Sequence, residues 1–288
     1  MNNWLLAARL KTLPAAISPV LLGSALSYHN GRFEIITLYM ILIAAILIQI
    51  GTNLANDVYD YQKGSDRNDR LGPIRVTQAG LIHPRIVKIA MCIVFGLAVC
   101  VGFYLAMIGG WPIVIIGIAS IIAGICYTGG PYPLGYNGLG DIFVFLFFGI
   151  IAVSGTYYLH IGKVDTICLW MGVTMGSLSN AILVVNNLRD IDTDKLSGKK
   201  TLAVRLGKKL TKIQYSILVI IPYFIPIYMW WNYENEMSLL LTLFSFPISI
   251  YLINDIHVLT GKNLNQLLNR TSRFLFLFTL LLSIGLIL

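Results

Sequence analysis

Two groups of amide and carboxylate side chains stand where apolar segments end. The first is Asn53, Asp57 and Asp60, in NLANDVYDYQKG; the second is Asn186 with its neighbour Asn187, Asp190 and Asp194, in VVNNLRDIDTDKLSG. Carboxylates at membrane depth are costly and persist where they serve a function. Positions i, i+4 and i+7 or i+8 share one helix face, so each group aims its oxygens one way. Two clusters of hard oxygen ligands suggest two Mg²⁺ ions, and enzyme-bound Mg²⁺ commonly completes its shell with phosphate oxygens. Asp57, Asp60, Asp190 and Asp194 would hold metal while leaving coordination positions for a diphosphate. Lys63, Arg75, Arg189, Lys195, Lys199, Lys200 and Arg205 lie in the adjoining loops and could meet the remaining phosphate oxygens, Arg as a bidentate fork and Lys as a point charge. Such a set stabilises charge building on a departing diphosphate. The chain contains no GxxxxGK[ST], so nucleotide hydrolysis has no support.

These groups must be carried by membrane helices. The 288 residues are 57% hydrophobic and only 12% charged, against about a quarter charged in a soluble domain, and the mean hydropathy is +0.76. The expected fold class is an all-α polytopic membrane protein, one domain over residues 1–288. A spanning helix needs about 20 mostly apolar residues. Nine such runs are expected, near 13–30, 36–56, 86–108, 111–128, 139–160, 165–187, 212–231, 237–254 and 271–288. Cys92, Cys100, Cys126 and Cys168 are scattered through apolar stretches, which fits buried thiols rather than a disulfide framework or a zinc site. MNNWLLAARLKT lacks the basic start of a cleavable signal peptide.

With the N-terminus inside and nine spans, every Lys and Arg except Arg32 and Lys163 falls on the inner side. Both acidic groups then lie at the cytoplasmic face. The net charge of +8 is explained by this topology and by an anionic substrate, so it does not imply a nucleic acid partner. Asn53 and Asp57 precede Asn186 and Asp190 by the same 133 residues. Spans one to four and five to eight thus read as two similar four-helix halves in one orientation, with the ninth span appended.

Four stretches, GTNLANDVYDYQKGSD, RLGPIRVTQAGLI, YTGGPYPLGYNGLGD and VVNNLRDIDTDKLSGKKTLAVRLGKK, carry a resemblance. The chain is similar to the UbiA superfamily of intramembrane aromatic prenyltransferases, and within it resembles the naphthoate branch of menaquinone synthesis. The first group departs from the general NxxxDxxxD pattern of that family. Read from Asn53, its second Asp falls one residue early, at Asp60, as in the naphthoate branch. The resemblance implies transfer of a polyprenyl group from polyprenyl diphosphate to 1,4-dihydroxy-2-naphthoate, with loss of CO₂, in a bacterial cytoplasmic membrane. It implies two Mg²⁺ ions held with the diphosphate by Asp57, Asp60, Asp190 and Asp194, assisted by Asn53 and Asn187. Lys63, Arg75, Arg189 and Lys199 would neutralise phosphate, and the faces of Tyr127 and Tyr132 could stabilise an allylic cation.

Plainer readings compete at several positions. A helix-end Asp can simply cap or be solvated, although four on two matched helix ends fit that poorly. Asp66 is a candidate for a metal or loop-ordering role, and Asp69 and Asp192 for solvated loop residues. Asp141 reads equally as a helix N-cap and as a substrate contact. Tyr127 and Tyr132 read equally as interfacial belt residues. Arg67, Arg70, Arg85, Lys88, Lys208, Lys209 and Lys212 fit topology and lipid headgroups. Two other functions stay open: a prenyltransferase for another aromatic acceptor such as 4-hydroxybenzoate, and a transporter of an anionic lipid or ion.

Overall fold

Proline and glycine punctuate the apolar runs and set where each helix begins. Pro14, Pro84 and Pro112 stand in first helical turns, where a missing N–H goes unnoticed. In a computed structural model, described over residues 3–66, 71–232 and 237–288, the chain is all helical. A short α1 (Asn3–Ala8) leads into α2 (Leu13–His29), α3 (Ile35–Gln62), α4 (Pro84–Gly109) and α5 (Trp111–Cys126). Then follow α6 (Gly140–Ile161), α7 (Thr166–Arg189), the short α8 (Ile191–Leu196), α9 (Leu202–Asn232), α10 (Met237–Val258) and α11 (Leu264–Ile287). Arg67, Asp69 and Arg70 lie outside the described residues.

Eight of the described helices are long and apolar enough to cross a membrane. The expected run at 111–128 forms α5, a shorter apolar helix of 16 residues. One boundary differs in a way that matters. The second run continues to Gln62, so the first acidic group is wholly helical. A short helical stretch over 202–206 precedes the seventh run, and Gly207, with a positive φ of 75°, kinks the chain between them, so the run itself starts just past Gly207, close to its expected start.

Helices α2, α3, α6, α7 and α11 surround the middle of the bundle, α2 packing on all four of the others. The main core joins Leu22 and Leu26 of α2 to Met171, Met175 and Leu178 of α7 and to Phe274 and Phe278 of α11. A second core ties α3 to α4 through Leu54, Val58, Met91 and Phe95. Backbones of α6 and α7 approach most closely at glycines: a Cβ on Gly149 would stand 2.4 Å from the Gly172 carbonyl and 2.6 Å from the Gly176 Cα. Such small-residue contacts let membrane helices close up without a hydrophobic driving force between them. Leu146–Ile151 of α6 is a π-turn at this point. A cavity of about 680 Å³ runs from the motif ends of α3 and α7 down between apolar walls of α4, α5 and α6.

Candidate active site

Helix α3 presents Asn53, Asn56 and Asp60 to the polar end of the cavity, and α7 with the start of α8 presents Asn186, Asn187, Asp190 and Asp194. Asp60 is nearly fully buried and heavily partnered. Its Oδ2 accepts from Arg75 Nη2 at 2.7 Å, and its Oδ1 accepts from the Tyr136 hydroxyl at 2.5 Å. Lys199 Nζ stands 3.6 Å from Asp60 Oδ1 and 3.7 Å from Asp194 Oδ1. The two acidic groups therefore face each other across a single ammonium.

Asp57 plays a different part from the one its spacing suggested. It does not line the cavity. Its two oxygens accept the backbone N–H groups of Val76 at 3.2 Å and Thr77 at 2.9 Å, and Arg9 Nη2 stands 4.0 Å away. Asp57 thus pins the loop that carries Arg75. Asn56, one helical turn before Asp60, takes the cavity position, its Oδ1 accepting from Thr128. The NxxxD pattern accordingly starts at Asn56, with Gly64 where a further Asp would stand, and the two motifs match at an offset of 130 residues rather than 133.

Arg75 is buried and lines the cavity. Its Nε lies 3.5 Å from Asp66, whose side chain is sequestered, while its Nη1 has no hydrogen-bond partner among the described residues. A buried guanidinium edge left free at a cavity wall is matched by an anionic oxygen. Arg189 is fully buried and committed elsewhere. It grips Asp190 in bidentate fashion, at 2.8 and 2.5 Å, and also donates to Asn186 and Asn265, so it positions Asp190 rather than facing a substrate. Lys63 donates to the Gly130 carbonyl outside the cavity, and partial desolvation lowers its pKa despite the charge of Asp60. Lys195 and Lys200 do not line the cavity, and Arg205 clamps the Asn137 and Lys200 carbonyls.

Tyr136 escaped the sequence reading. Its hydroxyl bridges Asp60 and Ser65, and its ring lies under Lys199 at 4.5 Å and Lys63 at 5.2 Å. Burial and the Asp60 carboxylate push its pKa up, so it remains a donor at neutral pH. The tyrosine-rich turn signalled it, but nothing in the spacing separated it from Tyr132, which is exposed at 61% and lies off the cavity. Tyr127 does line the cavity. Asp141 is buried and accepts from Gln214 at 2.8 Å, away from the cavity wall.

The donor set fits Mg²⁺ with a diphosphate. Asp60, Asp190 and Asp194 and the amides of Asn56 and Asn186 are all hard oxygen donors. Among the described residues no three acidic, His or Cys side chains converge on one point. The protein thus offers few-ligand positions of the kind Mg²⁺ takes when phosphate oxygens complete its shell. Below this end the walls become apolar, with Ile41, Ala44, Gly102, Ile113 and Phe147 among them. Phe103 lines the cavity while 70% exposed, so the apolar part opens sideways between helices.

Known proteins share both sequence and fold. The UbiA prenyltransferase family model matches residues 16–282. A 1,4-dihydroxy-2-naphthoate octaprenyltransferase of Escherichia coli is 41% identical over 211 residues, covering 71% of this chain and 68% of the relative. The protein of that description in Haemophilus influenzae is 38% identical over 227 residues, with coverage of 76% and 74%. Among solved structures, a UbiA homolog from Archaeoglobus fulgidus bound to GPP and Mg²⁺ superposes with a TM-score of 0.70 at 17% identity, covering 99% of both chains. With a family match over nearly its whole length and relatives of this identity, the chain belongs to the UbiA prenyltransferase family.

Proposed function

We propose that this chain transfers a polyprenyl group from polyprenyl diphosphate to 1,4-dihydroxy-2-naphthoate, releasing diphosphate and CO₂ and forming demethylmenaquinol, the hydroquinone form of demethylmenaquinone. The observation that carries this reading is one cavity that joins a carboxylate- and cation-lined end to an apolar trough open between helices. A prenyl diphosphate has the same two-part character. The relatives named as dihydroxynaphthoate octaprenyltransferases supply the acceptor.

Asn56, Asp60, Asn186, Asp190 and Asp194 would hold Mg²⁺, which when bound supplies positive charge to the diphosphate. Arg75 and Lys199 add fixed charge on the same side, and Tyr136 orients Asp60. The C–O bond to the prenyl carbon breaks, and diphosphate leaves with the electron pair. Aromatic faces of Tyr127 and Phe147 flank the allylic cation, and the apolar walls keep water from it. The electron-rich ring forms the new C–C bond. The carboxylate departs as CO₂, and its bonding pair restores the aromatic ring.

The same reading takes α5 as a ninth span, of about 24 Å at 1.5 Å per residue and completed by flanking residues. It sets the N-terminus and both motifs on the cytoplasmic side of a bacterial inner membrane, in a single domain over 1–288. The test is mass spectrometry of products from purified protein given polyprenyl diphosphate, Mg²⁺ and a mixture of dihydroxynaphthoate and 4-hydroxybenzoate. Prenylated, decarboxylated naphthoate that disappears on chelation is expected. Prenylated hydroxybenzoate alone would reassign the acceptor, and no product with either would favour transport.

A further inference from the structure

One polar cluster in the cavity is not absorbed by metal or diphosphate. It lies deeper than Asp60, where the neighbouring walls are apolar. Gln49 and Asn53 stand one turn apart on α3, both more than nine-tenths buried and both lining the cavity. Each donates its side-chain N–H to the hydroxyl of Thr12, at 3.0 Å in both cases. The Thr12 hydroxyl spends its one proton on the Arg9 carbonyl at 3.0 Å, so toward the amides it can only accept. Asn53 places its other amide proton on the Ala8 carbonyl at 3.0 Å. The orientation of both amides is therefore dictated by chemistry and not by an arbitrary choice of O and N.

Because an amide's C=O diverges from its NH₂, Gln49 Oε1 and Asn53 Oδ1 must point away from Thr12. Neither oxygen has a hydrogen-bond donor among the described residues. The free valences of the cluster are thus two carbonyl acceptors and one remaining N–H of Gln49. A prenyl diphosphate cannot use the acceptors, because its tail has no donor and its head is an anion. A phenol can. In the proposed aromatic substrate the 1-hydroxyl lies ortho to the carboxylate and can turn its proton there. The 4-hydroxyl has no such neighbour and needs an acceptor from the protein.

We infer that Gln49 and Asn53, locked by Thr12, form the hydroxyl-recognition site for the aromatic acceptor and receive its 4-hydroxyl. The inference rests on the acceptor proposed above and assigns the residues that select it. Accepting that proton also leaves more electron density on the ring that attacks the allylic cation.

The test compares 1,4-dihydroxy-2-naphthoate with 1-hydroxy-2-naphthoate, which lacks the 4-hydroxyl, as competing ligands of the full-length protein in detergent. Wild type should favour the diol by at least about tenfold, as expected where a site hydrogen-bonds a substrate hydroxyl. Gln49→Met and Asn53→Leu should each raise KM for the diol while leaving KM for polyprenyl diphosphate within about twofold. The double variant should lose most of the discrimination. Equal binding of the two naphthoates by wild type would overturn the inference while leaving the proposed reaction standing. So would undiminished discrimination in a double variant whose diphosphate KM is normal. Absence of any prenylated naphthoate from wild type would instead remove the proposed function and this inference with it.

Discussion

Asp57 and Asp60 sit three residues apart on one helix and hold different things. Asp60 faces the cavity between Arg75, Tyr136 and Lys199, whereas Asp57 holds the backbone of Val76 and Thr77. Conservative substitutions should therefore separate them. Asp60→Asn keeps the shape and removes the charge, and prenyl transfer should fall by about 10²-fold or more, the range seen when a group stabilising transition-state charge is lost. Asp57→Asn replaces one acceptor with an NH₂ that opposes a backbone N–H. It should cost about 1–3 kcal/mol of stability and speed amide hydrogen exchange at Val76 and Thr77, with the Mg²⁺ concentration for half-maximal activity unchanged. Equal effects of the two changes on Mg²⁺ dependence would contradict the division.

At the scale of elements, the contact of α6 with α7 fixes how far the second acidic group stands from the first. Gly149, Gly172 and Gly176 permit backbone approach that no Cβ could tolerate. Gly149→Ala must push the helices apart, since a Cβ there meets backbone atoms rather than a flexible side chain. A loss of about 1–3 kcal/mol is expected, read as a lower melting temperature in detergent, together with weaker diphosphate binding as Asp190 moves. Gly102 offers a contrast within the same fold: it lines the cavity, and a Cβ there meets nothing within 4 Å. Gly102→Leu should leave the melting temperature nearly unchanged. It should lower activity with long prenyl donors more than with dimethylallyl diphosphate, which a steady-state comparison of donor lengths would show.

For the whole molecule, both motif ends converge on one end of the bundle, and the loops at that end hold the basic residues that the positive-inside rule assigns to the cytoplasm. Single cysteines placed at Lys163 and Lys200, in a variant with the native cysteines removed, should label from opposite sides of the membrane in intact cells. An impermeant maleimide should reach position 163 and not position 200. Labelling of both from one side would remove an odd number of spans between them.

The sequence by itself determined the membrane class, the run of apolar helices, the two acidic motifs at matched helix ends and the family. These are local properties: composition, apolar run length and residue type at helical spacing survive in one dimension. It also brought forward Asp60, Asp190, Asp194, Arg75, Tyr127 and Lys199, all of which line the cavity. Only the tertiary structure decided which side of α3 the cavity occupies. Asn53, Asn56, Asp57 and Asp60 all fall within about 100° of one another at 100° per residue, so spacing alone admits either flank. The loop carrying Arg75 covers the Asp57 side, and the facing helix α7 leaves Asn53, Asn56 and Asp60 to the cavity. The same packing turned Arg189 inward to hold Asp190 and brought Tyr136 onto Asp60 across 76 residues of chain. Those contacts depend on where distant segments meet, and no local pattern encodes that.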